Sequence, residues 1–327
     1  MPETQSTPDQ SIRRERLRRA VGRRAFLASI VRGTLGVGFA YSLAPKLTIV
    51  TPPEAQRHLA WVWQFSEDGA PDTLRPVLSA NRLGIVLKTH DGTDWMADFD
   101  DSEAAVSGPA QIARLSRYFE AGGVPFHAWC VLRGLEPETE ALMAAQVIDW
   151  GARSIFLDLE PSDGGHYWDG TPGAARAFGR VFRKLQPRAH LAIAPDPRPW
   201  QVEAVPLTEF AAFSDELAPQ TYWEIFDSQD TIDLLTERGL AIGDDGVTPE
   251  LTLRFTQQSL APFGLPIRPI GEGAASIDSW RRFVHRAQRL GMGNVSVWRF
   301  GTSSPDVWRL LKEMPARPGN DQPSLRS

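Results

Sequence analysis

The stretch "SIFLDLEPSDG", residues 154–164, opens as a β-strand and closes on turn residues, with Asp158 and Glu160 one residue apart at its end. Side chains of a strand alternate between its two faces. Ile155, Leu157 and Leu159 therefore share one face, and Ser154, Phe156, Asp158 and Glu160 share the other. Two explanations compete for the acids. They are a catalytic pair at the mouth of a barrel, or ordinary carboxylates solvated at a strand end. The rest of the sheet decides between them.

Comparable apolar runs occur at 59–65, 83–89, 124–132, 190–196, 216–223, 267–272 and 294–300, which with 154–160 predicts eight strands. Helical patterns separate them, among them "PAQIARLSRYFEAGG", "PETEALMAAQVIDWG", "GAARAFGRVFRKLQ" and "DSWRRFVHRAQRLG", and several open on Ser, Thr, Asp or Pro and end at Gly. Eight strand–helix units over about 250 residues predict a single (β/α)8 TIM barrel of the α/β class, residues 56–315. An open dinucleotide-binding sheet carries a Gly-rich phosphate loop, and no such loop or Walker A sequence occurs here. In a barrel the aliphatic face of 154–160 must meet the helices. Asp158 and Glu160 then point inward at the carboxyl end of strand four, where barrel active sites are built. Two close carboxylates repel, so one of them holds its proton to higher pH, as a general acid requires.

The same parity assembles the rest of the expected mouth. Strand one brings Trp63, strand two Lys88, strand three Trp129 beside His127, and strand five Asp196. Strand six brings Gln220 and Tyr222 with Trp223 just beyond, strand seven Glu272, and strand eight Trp298. Catalysis falls to Glu160, Asp158, Tyr222 and Glu272, and substrate contact to Trp63, Lys88, Trp129, Asp196, Gln220, Trp223 and Trp298. Each also has a structural alternative: rim packing for the indoles, a turn for Asp196 in "PDPRPW", and an ion pair with Arg268 for Glu272. An inward Lys88 needs an anionic partner, for which a catalytic acid is the nearest candidate. Asp91, Asp94, Asp98, Asp100 and Asp101 lack calcium-loop spacing and are expected to cap and solvate. The scattered histidines give no zinc pattern, Cys130 reads as core, and neither a metal nor a cofactor is expected.

Composition adds limits. The 327 residues are 42% hydrophobic and 23% charged, ordinary for a globular chain, and the net charge of -5 argues against a nucleic-acid binder. Eleven Trp suit stacking on sugar rings as well as packing. The Arg-rich segment "RRERLRRAVGRRAFLASIVR" at 13–32, followed by the apolar "GTLGVGFAYSLA" at 33–44, has the layout of an export signal. Residues 1–45 are thus expected to be a signal or an uncleaved anchor, through which alone the chain touches a membrane. The alternative is a basic helix lying on an anionic surface. Residues 316–327 have the composition of a disordered tail. A monomer in the periplasm or outside the cell is expected.

At "VLKTHDGTDW", "FLDLEP", "PQTYW" and "PIGEGA" the chain resembles glycoside hydrolase barrels, of the family 25 lysozyme type and of bacterial glycoside hydrolase-like proteins. The D-x-E of strand four is similar to that of family 18 chitinases. This resemblance implies a glycan substrate, with Glu160 as acid/base, Asp158 as its partner and Tyr222 on the reacting sugar. Two departures stand beside it: Gln64 lies where the family 25 pattern has an Asp, and the further upstream acids of the chitinase signature are absent. Two geometries stay open. Asp158 and Glu160 acting alone suit assistance by a substrate N-acetyl group, whereas Glu160 with Glu272 would give retention or inversion according to their separation. The expected activity is a glycosidase on polysaccharide or cell-wall glycan; the alternative is a barrel that binds carbohydrate without cutting it.

Overall fold

The structure, a computed structural model, describes residues 57–162 and 165–314; the expected signal at 1–45 and tail at 316–327 lie outside the described residues. Eight parallel staves run β1 (Leu59–Val62), β2 (Gly84–Asp91), β3 (Phe126–Val131), β4 (Ser154–Leu159), β5 (His190–Pro195), β6, β7 (Ile270–Glu272) and β8 (Ser296–Trp298). β6 is made of two short pieces, Glu216–Leu217 and Gln220–Thr221. Its first piece pairs with β5 and its second with β7, while β8 returns to β1 through Leu59↔Ser296. The sheet therefore closes on itself as a (β/α)8 barrel.

Helices start where the sequence supplies a stop for their free amides. Thr171 accepts a hydrogen bond from the Ala174 N–H and Ser276 from the Ser279 N–H, and Pro172 occupies a first-turn position whose N–H has no helical partner. The helix Pro172–Leu185 buries Ala175, Phe178 and Phe182 at helical spacing, in one cluster with Ile155, Leu157 and Leu159 of β4. Truncating Phe178 would cost about 3–5 kcal/mol. Gly179 has a packing reason: a Cβ there would lie 2.3 Å from the Phe213 ring. The aliphatic face of β4 thus meets the helices, as alternation demands.

The barrel interior is plugged with rings. Trp61 packs on Trp129 at 5.3 Å, on Phe156 at 5.4 Å and on Trp298 at 6.0 Å between centroids. Much of the indole content is core filling, and the plug separates the two ends. At the amino end, Arg268 Nε donates to Glu216 Oε1 at 3.1 Å, and His127 Nδ1 lies 2.7 Å from Ser154 Oγ. Arg268 is therefore no partner for Glu272.

Two local devices shape the carboxyl end. Between Lys88 and His90 the β2–β3 register shifts by one residue, so Lys88 pairs with Trp129 and His90 with Cys130. Such a bulge reverses side-chain parity beyond it. Asp91 turns inward as a result, in register through Val131 with Asp158. The second device is Asp68, whose carboxylate accepts from the N–H groups of Trp63 and Gly301 and from Arg299 Nη1, all within 2.7–2.8 Å. This buried anion clasps the loops after β1 and β8 together. Arg299 in turn lies over the Trp63 ring, 5.2 Å from its centroid.

Candidate active site

A cavity of about 960 Å³ opens at the carboxyl end of the staves, with Trp61, Trp129 and Ile270 in its lining. Strand four delivers Asp158 and Glu160 into it side by side. Gln220, coming from β6 across the barrel, joins them: its Nε2 donates to Asp158 Oδ1 at 2.9 Å and to Glu160 Oε1 at 2.7 Å. One amide thus holds both carboxyl groups in a fixed relation.

Both acids are pushed toward their protonated forms. For Asp158 burial is the largest cause, followed by the charge of Glu160; Lys88 and the Gln220 hydrogen bond oppose it. For Glu160 burial again leads, opposed first by Gln220. Burial thus outranks mutual repulsion, although repulsion alone was the expected cause. The arrangement can hold and deliver a proton inside a cavity large enough for a sugar. Tyr222 lines the same wall, and burial reinforced by Asp158 and Glu160 raises its phenol, so it stays a neutral donor. Tyr167, from the loop after β4, is raised by burial and by the same carboxylates.

The remaining expected residues divide. Trp63 and Trp298 line the cavity and stay partly exposed, while Trp129 forms its floor at 2% exposure with its N–H committed to the Val62 carbonyl. Lys88 faces in as expected, but its partner is Asp91 at 2.9 Å rather than a catalytic acid. Asp196 lines the wall with its carboxylate gripped by Arg198 through Nε and Nη2.

Two expectations are corrected. Trp223 does not reach the mouth: it shares its face with Thr221, points at the helices and packs on Phe283 at 4.9 Å and Trp280 at 5.8 Å. Glu272 does not line the cavity: its Oε2 accepts from the N–H groups of Glu224 and Ile225, 2.9 and 3.3 Å away. The β6 loop has claimed it. Asp91, Arg133, Tyr167, Arg198 and Arg299 line the site without having been expected there. Asp91 was hidden by the bulge, and the others sit on loops, where strand parity gives no signal. Among the described residues no group of three or more His, Cys, Asp or Glu is placed to hold a metal ion.

No protein-family model matches the chain, and no curated protein does. Solved structures do. The spore cortex-lytic enzyme SleL of Bacillus cereus is similar at 11% identity over 79% of this chain and 74% of its own, with a TM-score of 0.52. A glycoside hydrolase family 18 N-acetylglucosaminidase from Paenibacillus barengoltzii gives 10% identity, 78% and 98% coverage and a TM-score of 0.53. Active domain 2 of the thermostable chitinase from Pyrococcus furiosus gives 12%, 79% and 93% coverage and 0.51. The fold of this chain is that of these glycoside hydrolase barrels. At such identities the likeness is one of fold, and none of the three is a family 25 lysozyme, so that side of the resemblance gains no support from them.

Proposed function

We propose that the protein is an exported glycoside hydrolase that cuts an N-acetylated polysaccharide of the chitin or peptidoglycan kind, with Glu160 as its general acid. The observation that carries this is the Gln220-bridged pair of Asp158 and Glu160 at the wall of a sugar-sized cavity in a barrel of this fold. Glu160 protonates the glycosidic oxygen as the bond to the anomeric carbon breaks. Glu272 is tied to loop amides, which removes the second carboxylate that a two-acid mechanism across the mouth would use. Assistance by the substrate's own 2-acetamido oxygen is the route this favours. That oxygen attacks the anomeric carbon, and Asp158 and Tyr222 steady the acetamido group. Trp298 and Trp63 supply ring faces, and the enzyme acts outside the cytoplasm, as the 13–44 segment suggests.

A second reading, a barrel that binds glycan without cutting it, is favoured by one feature. The inward residues behind Asp158 on β4 are Phe156 and Ser154, so that strand supplies no third carboxylate behind the pair. A reducing-sugar screen over chitin, peptidoglycan and glucans, with wild type beside Glu160→Gln, separates the two. A hydrolase loses release and keeps binding in the variant. A binding barrel releases nothing in either form and binds equally in both.

A further inference from the structure

Arg133 is a firmly mounted cation of the cavity wall. Its backbone N–H donates to Glu140 Oε2 at 3.1 Å, and its carbonyl accepts from the Asp169 N–H at 2.9 Å. Its Nε donates to Asp91 Oδ1 at 2.8 Å, and Nη2 forms an ion pair with the same oxygen, 2.7 Å away. Its side-chain stem lies against Gly92, where a Cβ would come within 3.0 Å of Arg133 Cδ. The side chain is 18% exposed and lines the cavity, and Nη1 has no partner among the described residues. A guanidinium held on one edge and open on the other is preorganised to take a planar anion.

The local charge balance points the same way. Asp91 serves two cations, with Lys88 Nζ on Oδ2 at 2.9 Å and Arg133 on Oδ1. Among the described residues Asp91 is the one carboxylate paired with either cation, so their charges outnumber it by one. The next carboxyl in the layer, Asp158, is driven by burial toward its neutral form and so compensates weakly. The other guanidiniums of the mouth are spoken for, Arg198 by Asp196 and Arg299 by Asp68. The fields of Glu160, Asp158 and Asp91 all reach Tyr167, so this wall and the proton donor border one region of the cavity.

We propose that the glycan taken by this cavity carries a carboxylate near the bond addressed by Glu160, and that Arg133 binds it through Nη1. This rests on the glycan-cleaving function proposed above and narrows it: the substrate is an acidic N-acetylated glycan, such as a strand bearing lactyl-linked peptide carboxylates, rather than a neutral one. Asp91 holds the guanidinium, and Lys88 shares the same carboxylate.

The test uses the full chain with soluble peptidoglycan tetrasaccharides in two forms, native and with every carboxylate converted to a primary amide. Affinity is measured by titration calorimetry on Glu160→Gln, and release of sugar ends on wild type. The native form should bind at least about tenfold more tightly, the scale of one charge-assisted hydrogen bond. Adding Arg133→Gln should reduce that preference to less than about threefold, and Arg133→Lys should leave it in between. Equal affinity for both forms, or a preference that survives Arg133→Gln, overturns the inference. If Arg133→Gln does not fold, the native-against-amidated comparison decides alone. Carboxylate preference without sugar release from any substrate supports this inference while refuting the hydrolase reading; release of both forms at equal rates does the reverse.

Discussion

Replacing Gln220 by leucine removes the amide that joins the two acids while keeping the size of the side chain. In the wild type Nε2 donates to both carboxyl groups, 2.9 Å from Asp158 and 2.7 Å from Glu160. These bonds favour the ionised forms, so Gln220 opposes the burial that raises both groups. A hydrogen bond to a charged group contributes about 1.5–3 kcal/mol. Each loss therefore favours the protonated pair by that amount, reduced where solvent enters. The pair titrates as a unit, so the expectation concerns its macroscopic steps. In Gln220→Leu its proton affinity should rise roughly tenfold or more, since 1.36 kcal/mol is a factor of ten. Carboxyl carbon NMR on Asp- and Glu-labelled protein reads this without assuming any activity. For an active enzyme, both limbs of the pH profile of kcat/KM should move to higher pH. Titration unchanged from wild type, or displaced to lower pH, would refute the view that Gln220 sets the protonation of the pair.

Asp158→Asn should raise stability at neutral and mildly alkaline pH by about 0.5–2 kcal/mol. The native state binds this proton more readily than the unfolded chain does. The stability it contributes is complete below the ordinary carboxylate range and disappears as pH rises through the raised native value. Denaturant midpoints should thus converge for the two proteins at acid pH and separate as pH rises; a constant gap argues against the assignment. Asp68→Ala leaves the partly buried Arg299 with only Glu67, 3.7 Å away, and strips the Trp63 and Gly301 amides of their acceptor, so it should cost about 3 kcal/mol, with a fall in Tm on the order of 10 °C by calorimetry. A fall of one or two degrees would show that the clasp is dispensable. Trp223→Phe should lower Tm without changing oligosaccharide affinity, whereas Trp298→Ala should weaken that affinity about tenfold. The reverse pattern would return Trp223 to the site.

What the sequence made legible follows from alternation. Ile155, Leu157 and Leu159 alternate with Phe156, Asp158 and Glu160, and once eight strand–helix units imply a helix-covered barrel, that alternation turns both acids inward. The same rule applied strictly puts Trp223 on the outer face with Thr221; proximity to Tyr222 was a poor guide. Glu272 has inward parity, but parity does not report that loop amides have already claimed its carboxylate. Asp91 was invisible because the β2 bulge inserts one residue, and nothing in "VLKTHDG" announces it. Arg133, Arg198 and Arg299 come from loops, whose side-chain directions depend on long-range partners such as Asp91 and Asp68. The scaffold was readable from period, and the charge network from structure alone.

The central claim is that Glu160 stands where a glycosidic oxygen is delivered. Crystals of Glu160→Gln soaked with an N-acetylated tetrasaccharide test it directly. The claim predicts a sugar across the mouth, with a glycosidic oxygen about 3 Å from the residue 160 side chain and the acetamido group of the preceding ring against Asp158 and Tyr222. Saccharide bound only outside the cavity, or with every glycosidic oxygen beyond hydrogen-bond reach of residue 160, would contradict it.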